Sequence, residues 1–170
     1  MQKGLIHVYC GNGKGKTTAA IGLAVRCSGR GFKVMYTAFL KNYNSGELIN
    51  QNMFDILRFN PIDGFWKDFS EEKRKLLSEE MYRQLDTVFA ETDKYDLIIL
   101  DEILNAIEVN AVDENYFLNL LKKRKHHTEF VLTGRTTTKG ITDIADYITE
   151  MNCIKHPYNH GETARVGIEY

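Results

Sequence analysis

The residues best suited to chemistry lie in one run, CGNGKGKTT, from Cys10 to Thr18. Gly11, Gly13 and Gly15 let the backbone turn tightly, so that successive N–H groups can face one concavity. Lys16 puts a full positive charge where phosphate oxygens would sit, and the Thr17 hydroxyl is placed to ligate a metal bridging them. An apolar run, Leu5–Tyr9, precedes the loop, and a small-residue helical stretch follows it. That context defines a phosphate-binding loop, with anions held at the positive end of a helix. Gly11, Asn12, Gly13, Lys14, Gly15, Lys16, Thr17 and Thr18 are therefore candidate phosphate-binding residues. One position departs from the usual pattern: five residues before Gly15 the chain has Cys10, not glycine. The loop should hold a polyphosphate, in a manner that need not be that of a kinase.

Other candidates stand at the ends of apolar runs. DLIILDE, Asp96–Glu102, has the pattern of a buried parallel strand that delivers a carboxylate to the sheet's carboxyl edge. Beside a phosphate loop it reads as a Walker B strand ending in Asp101 and Glu102, although one of the acids could cap the next helix. EFVL, Glu129–Leu132, runs into Thr133, Gly134 and Arg135. Arg135 could pair with a phosphate or with an acid such as Glu102. Asn60–Phe69, NPIDGFWKDF, is irregular by its proline and glycine, yet carries Phe65, Trp66 and Phe69. Such aromatics are either a plug over the core or a platform for a flat ligand. Arg26 lies on an otherwise apolar helix and could snorkel to solvent. The tail, KHPYNHGETARVGIEY, holds His156, His160 and Arg165.

The elements that must position these residues alternate. Strands are expected at Leu5–Cys10, Lys33–Leu40, Asp55–Phe59, Asp96–Glu102, Glu129–Leu132 and Tyr147–Ile154. Helices are expected at Thr17–Arg30, Leu48–Phe54, Ser70–Thr92, Asn105–Ala111, Glu114–Arg124 and Thr142–Tyr147. In Ser70–Thr92 the residues Leu77, Met81, Leu85 and Val88 form the inward stripe. Strand–helix alternation with functional residues after strand ends predicts one α/β domain over 1–170, with a mainly parallel sheet and helices on both faces. A net charge of −1 argues against general nucleic-acid binding, and the basic KKRKHH reads as a solvated helix end. No apolar run approaches the roughly 20 residues of a membrane span. The amino terminus runs straight into the first strand without a signal-peptide pattern. Three scattered cysteines, an odd number, fit a reducing cytoplasm better than a disulfide framework or a zinc site.

Four segments together resemble the ATP:corrinoid adenosyltransferases of the CobA/BtuR family, over nearly the whole chain. They are GNGKGKTTAAIGLAVRCSGRG (Gly11–Gly31), IILDE (Ile98–Glu102), LTGR (Leu132–Arg135) and the tail KHPYNHGETARVGIEY. That family also lacks glycine at the position of Cys10. The resemblance implies a P-loop NTPase-like (RecA-like) fold. It implies transfer of the 5′-deoxyadenosyl group from ATP to the cobalt of a reduced corrinoid, with ATP bound reversed in the loop. It implies catalytic roles for Lys16, Glu102 and Arg135, and magnesium or manganese held by Thr17 and Glu102. Arg26 and His156 match positions that contact the nucleotide. Phe65 and Trp66 match the segment that covers the corrinoid and displaces its lower ligand, with Phe65 directly before Trp66 where the family has F-x-W. An amino-terminal extension found in some members has no counterpart here. The resemblance further implies a homodimer and a flavin-type reductase supplying electrons. The rival readings are a P-loop ATPase or kinase using Glu102 to polarise water, and a non-catalytic ATP or corrinoid sensor.

Overall fold

Successive side chains of a strand point to opposite faces, and β4, Leu97–Asp101, shows both faces buried. Leu97 and Ile99 join one core, and Ile98 and Leu100 join the other. A computed structural model describes residues 3–41, 45–48, 53–59 and 64–169. Within them, six parallel strands form one sheet: β1 (Ile6–Cys10), β2 (Val34–Ala38), β3 (Asp55–Ile56), β4, β5 (Glu129–Thr133) and β6 (Tyr147–Glu150). Their order is β3-β2-β4-β5-β1-β6, so β5 lies between the loop-bearing β1 and β4. The register pairs Val8 with Leu132 on one side and with Ile148 on the other.

Among the described residues five α-helices connect the strands: α1 (Lys16–Ser28), α2 (Glu71–Ala90), α3 (Ile103–Glu108), α4 (Glu114–Lys122) and α5 (Lys139–Ile144). They divide unequally. Ala20 and Ala24 of α1 pack on Val34, Tyr36, Ile99 and Val131. Two alanines on the inward stripe let this helix lie close to the sheet. The opposite face is covered by α2, α3, α4 and α5, through Met81, Leu85, Val88, Ile103, Ala106, Phe117, Leu121 and Ile141. The expected parallel α/β fold with helices on both faces is therefore present.

Several boundaries differ from expectation, each for a local reason. Ser70 caps α2 as its type predicts, accepting a bond from Lys73 N at 3.3 Å. Its buried stripe includes Gln84 in place of the half-buried Leu77. Gln84 is satisfied there because Nε2 donates to Thr37 Oγ1 at 2.6 Å and to the Ala38 carbonyl at 3.1 Å. β3 is only two residues long, since it sits at the sheet edge with a single partner strand. The last helix begins at Lys139 rather than Thr142 because the Thr138 side chain caps it. Strand β6 stops at Glu150, where Met151 turns its backbone to the phosphate loop. The helix expected over Leu48–Phe54 falls largely on residues outside the described ones; Gly46–Leu48 form a single 3-10 turn.

Candidate active site

The loop after β1, the ends of β4 and β5, and the segment after β6 meet at the carboxyl edge of the sheet. Gly11 N donates to the Arg135 carbonyl at 2.7 Å, and Gly13 N to the Met151 carbonyl at 2.6 Å. Side chains at these two glycines would collide with the Met151 backbone, at 2.4 and 2.6 Å from its carbonyl oxygen. Asn12 Oδ1 accepts from Cys153 N at 2.9 Å. Gly11, Asn12 and Gly13, expected to bind phosphate, thus fasten the loop to β5 and to the segment after β6. These three do not line the cleft that the second half of the loop borders.

That second half lines a cleft of about 530 Å³. Lys14, Gly15, Lys16, Thr17 and Thr18 form its floor, Lys41 and Glu102 one side, and Gly167–Glu169 of the tail another. Ile21, Val25, Met53 and Phe54 give it an apolar end. The backbone of α1 starts at Lys16, so the helix's unpaired N–H groups face the cleft. Lys16 Nζ donates to the Gly13 carbonyl at 2.7 Å, a bond a phosphate oxygen could replace.

The two acids behind the loop have separate surroundings. Asp101 is fully buried, and four side chains donate to it. Thr17 and Thr133 reach Oδ1 at 2.9 and 2.7 Å; the Tyr36 hydroxyl and Lys41 Nζ reach Oδ2 at 2.8 and 2.9 Å. Glu102 leaves the strand in the left-handed region, φ 62°, and heads α3. Its side chain enters the cleft and accepts a bond from Asn105 Nδ2. Burial pushes the Glu102 carboxyl above the usual range, and the Asp101 charge adds to this; Lys41, Lys16 and Arg135 oppose it. For Lys41, burial alone would lower the ammonium, but Asp101 and Glu47 outweigh it and raise its pKa.

Arg135 comes near through its backbone. Its N–H donates to Asn105 Oδ1 at 2.6 Å, so Asn105 joins the β5 turn to Glu102. Gly134 permits this approach: a Cβ there would lie 2.5 Å from Leu104 Cβ. Thr133, of the Thr133–Gly134–Arg135 strand end, contributes through its bond to Asp101, and two further contributors, Lys41 and Asn105, carry no sequence signal of their own. Lys41 was hidden in a polar loop, although it follows a strand end at the same sheet edge as Arg135. Asn105 lies three residues after Glu102, the spacing of neighbours on a helix.

Two expected nucleotide contacts lie elsewhere. On α1, Thr18, Ile21 and Val25 occupy the cleft side. Arg26 is turned about 100° from Val25. It lines a separate groove with Leu23, Cys27, Arg30, Phe32, Leu97 and Glu129. His156 sits in a hollow within the tail, where Nδ1 accepts from Tyr158 N at 3.2 Å. That hollow shares only Glu169 with the cleft. The tail itself does reach the loop: Lys14 Nζ donates to the Ile168 carbonyl at 2.9 Å and pairs with Glu169 at 3.3 Å. Hydrogen bonds from Arg165 hold the Glu169 carboxyl down at about 2.

The aromatic segment divides. Of its residues, 60–63 lie outside the described ones. Trp66 and Phe69 are half-buried against the core under α2, and Lys73 lies 3.8 Å from the Phe69 ring centroid. Arg74 Nε clips this turn by donating to the Trp66 carbonyl at 3.0 Å. Phe65 instead stands 74% exposed. Its described part, residues 64–69, leads into the start of α2, so that part shares the carboxyl edge of the sheet with the phosphate loop.

Among the described residues, no cluster of three or more His, Cys, Asp or Glu side chains could hold a metal unaided. A metal carried by phosphates asks less: one or two protein oxygens suffice. Thr17 gives its hydroxyl proton to Asp101, which leaves its lone pairs for such an ion, and Glu102 lies in the same cleft. The donor set therefore fits magnesium or manganese bound with a polyphosphate. No described helix is long and apolar enough to cross a membrane.

Parallel strands, a glycine–lysine–threonine loop opening a helix, and an acid-ended strand one place removed define a P-loop nucleotide-binding domain. A KaiC-like protein of known structure from Pyrococcus horikoshii has the same fold, with a TM-score of 0.50 at 15% identity over 88% of this chain and 73% of that one. Residues 2–170 match the family model described as ATP:corrinoid adenosyltransferase BtuR/CobO/CobP, and the chain belongs to that family. A corrinoid adenosyltransferase from a Sinorhizobium species is 31% identical over 99% of this chain and 81% of its own length. The Escherichia coli K12 corrinoid adenosyltransferase is 30% identical over 99% of this chain and 87% of its own.

Proposed function

We propose that this protein transfers the 5′-deoxyadenosyl group of ATP to the cobalt of a reduced corrinoid and releases triphosphate. The observation that carries the reading is the family match over residues 2–170, in a chain whose phosphate loop forms a polyphosphate-sized cleft. In this reaction the electron pair of cobalt(I) forms the cobalt–carbon bond at C5′. The C5′–oxygen bond breaks, and its pair leaves on the triphosphate. Cobalt(I) needs no general base to become nucleophilic. What the protein must supply is an in-line position and compensation for charge on the leaving group.

The residues divide this work. Lys16, with the amides of Lys14 to Thr18, receives the triphosphate at the start of α1. Thr17 and Glu102 would hold magnesium or manganese, which supplies additional neutralisation of phosphate charge. Asn105 keeps Glu102 turned into the cleft, and Arg135 adds positive charge beside it. Phe65 meets one face of the corrinoid, while Trp66 and Phe69 anchor the segment to the core. A flat macrocycle against an exposed ring excludes water and the lower axial ligand, which makes cobalt(II) easier to reduce. We further take the protein to act as a single cytoplasmic domain, as a homodimer, with a flavin-type reductase supplying the electrons. The family resemblance supports these three assignments.

The test is one incubation of protein, ATP, magnesium and chemically reduced corrinoid. Growth of cobalt–carbon absorbance with one triphosphate per adenosylated product is expected. Release of ADP would mean phosphoryl transfer instead, and tight binding without any product would mean a sensor.

A further inference from the structure

The cleft contains a cation that the transfer reaction, as described above, does not use. Lys41 follows β2 after Leu40, which adopts the left-handed region at φ 49°. Its Nζ reaches Asp101 Oδ2 at 2.9 Å and also bonds Glu47. Both carboxylates are shielded: the Asp101 side chain is 0% exposed and that of Glu47 is 17% exposed. Lys41 therefore ties the 45–48 wall of the cleft to the strand end behind the phosphate loop.

A carboxylate has about four acceptor sites. At Asp101 the four nearest donors fill them: Thr17 and Thr133 on one oxygen, Tyr36 and Lys41 on the other. A longer contact from Thr17 to Oδ2, at 3.2 Å, crowds the second oxygen further. With its sites filled, Asp101 has no free lone pair to offer an ion in the cleft. Glu102, with a single described hydrogen-bond donor on its carboxylate, does.

We propose that Lys41 is a positioning residue for the metal half of this site: by occupying Asp101 it keeps that carboxylate an acceptor for Thr17 and leaves Glu102 as the carboxylate the metal meets. This rests on the proposed transfer function, because it concerns the metal that accompanies ATP. Without Lys41, one acceptor site of Asp101 Oδ2 opens on the cleft side, while Tyr36 still donates to that oxygen. The Thr17 hydroxyl then has a less firmly fixed acceptor to aim its lone pairs.

The test uses Lys41→Met and Tyr36→Phe, which empty the same oxygen from the cleft side and from within the core. ATP binding to the intact protein is measured by calorimetry in EDTA and in excess magnesium. In both variants the EDTA affinity should stay within about twofold of wild type. The tightening produced by magnesium should fall about tenfold in Lys41→Met and about threefold in Tyr36→Phe. Manganese titration followed by electron paramagnetic resonance gives a second readout, a changed ligand environment at the ion in Lys41→Met. Tyr36→Phe conserves shape, so its result stands even if Lys41→Met does not fold. Full magnesium tightening in Tyr36→Phe overturns the inference. So does a Lys41→Met variant that loses EDTA affinity while keeping its magnesium response, since Lys41 would then touch the nucleotide directly. Wild-type protein that binds no ATP would refute the proposed function, and this inference with it.

Discussion

Phe65 and Trp66 are neighbours in sequence with opposite surroundings, and truncating each separates corrinoid binding from core packing. Burying a phenylalanine side chain stabilises by about 1.5–3 kcal/mol. Phe65 is 74% exposed, so roughly three quarters of that, about 1.5 kcal/mol, is available to a bound macrocycle. Phe65→Ala should therefore slow adenosylation about tenfold when the reaction starts from cobalt(II), where the lower ligand must be displaced. With cobalt(I) supplied ready-made, the loss should be about threefold or less. Its thermal midpoint should change by less than about 2 °C, because little packing is removed. Trp66→Ala should behave differently. A fully buried tryptophan costs about 3–5 kcal/mol on truncation, and a half-buried one about 2 kcal/mol. In a domain of this size that lowers the midpoint by about 4–8 °C. The assay pairs anaerobic turnover from each cobalt state with thermal unfolding of the same preparations. A Phe65→Ala protein that melts several degrees lower and turns over cobalt(II) at the wild-type rate would refute the reasoning.

Two other substitutions test the site and the fold. Glu102→Gln should lower magnesium-dependent turnover about a hundredfold while leaving circular dichroism unchanged. Because the folded Glu102 pKa lies above its ordinary value of 4.5, its protonated form favours folding, and that contribution is lost as pH rises through the folded pKa. The glutamine variant should accordingly be more stable than wild type near neutral pH, with the difference closing as pH falls below 4.5, read from urea midpoints across pH. Ala24→Leu should destabilise by about 1–3 kcal/mol in urea unfolding, because Ala24 is fully buried where α1 meets the sheet.

Much of this architecture is legible in the residues. The strand–loop–helix at Cys10–Thr18 announces itself because glycine, lysine and threonine at that spacing serve few other physical purposes. DLIILDE reads as buried because both faces of its strand must be apolar. What local pattern does not carry is division of labour between neighbours. Asp101 and Glu102 look alike in sequence, yet Asp101 ends the strand fully buried while Glu102, in a left-handed turn, lines the cleft. Gly11 and Gly13 look like phosphate ligands, but their N–H groups meet carbonyls from residues more than 120 positions away. Arg26, one residue past the cleft side of α1, lines a different groove, which its place in the sequence does not tell. Lys41 carries no local signal because its buried partner, Asp101, lies 60 positions along the chain.

The strand order has a consequence for how the protein is made. β1 leaves the ribosome well ahead of both strands that flank it, β5 and β6, which begin only at Glu129 and Tyr147. At translation rates of roughly 5–20 residues per second, Ile6 and Val8 wait about 6–25 s for a partner. During that interval the chain holds a finished nucleotide motif in sequence and no grip on nucleotide in space. The Gly11 and Gly13 amides can find their acceptors only once Arg135 and Met151 have been made. Competence for ATP thus waits until Met151 has been made, and nucleotide in the cell cannot template the earlier folding of the motif that binds it.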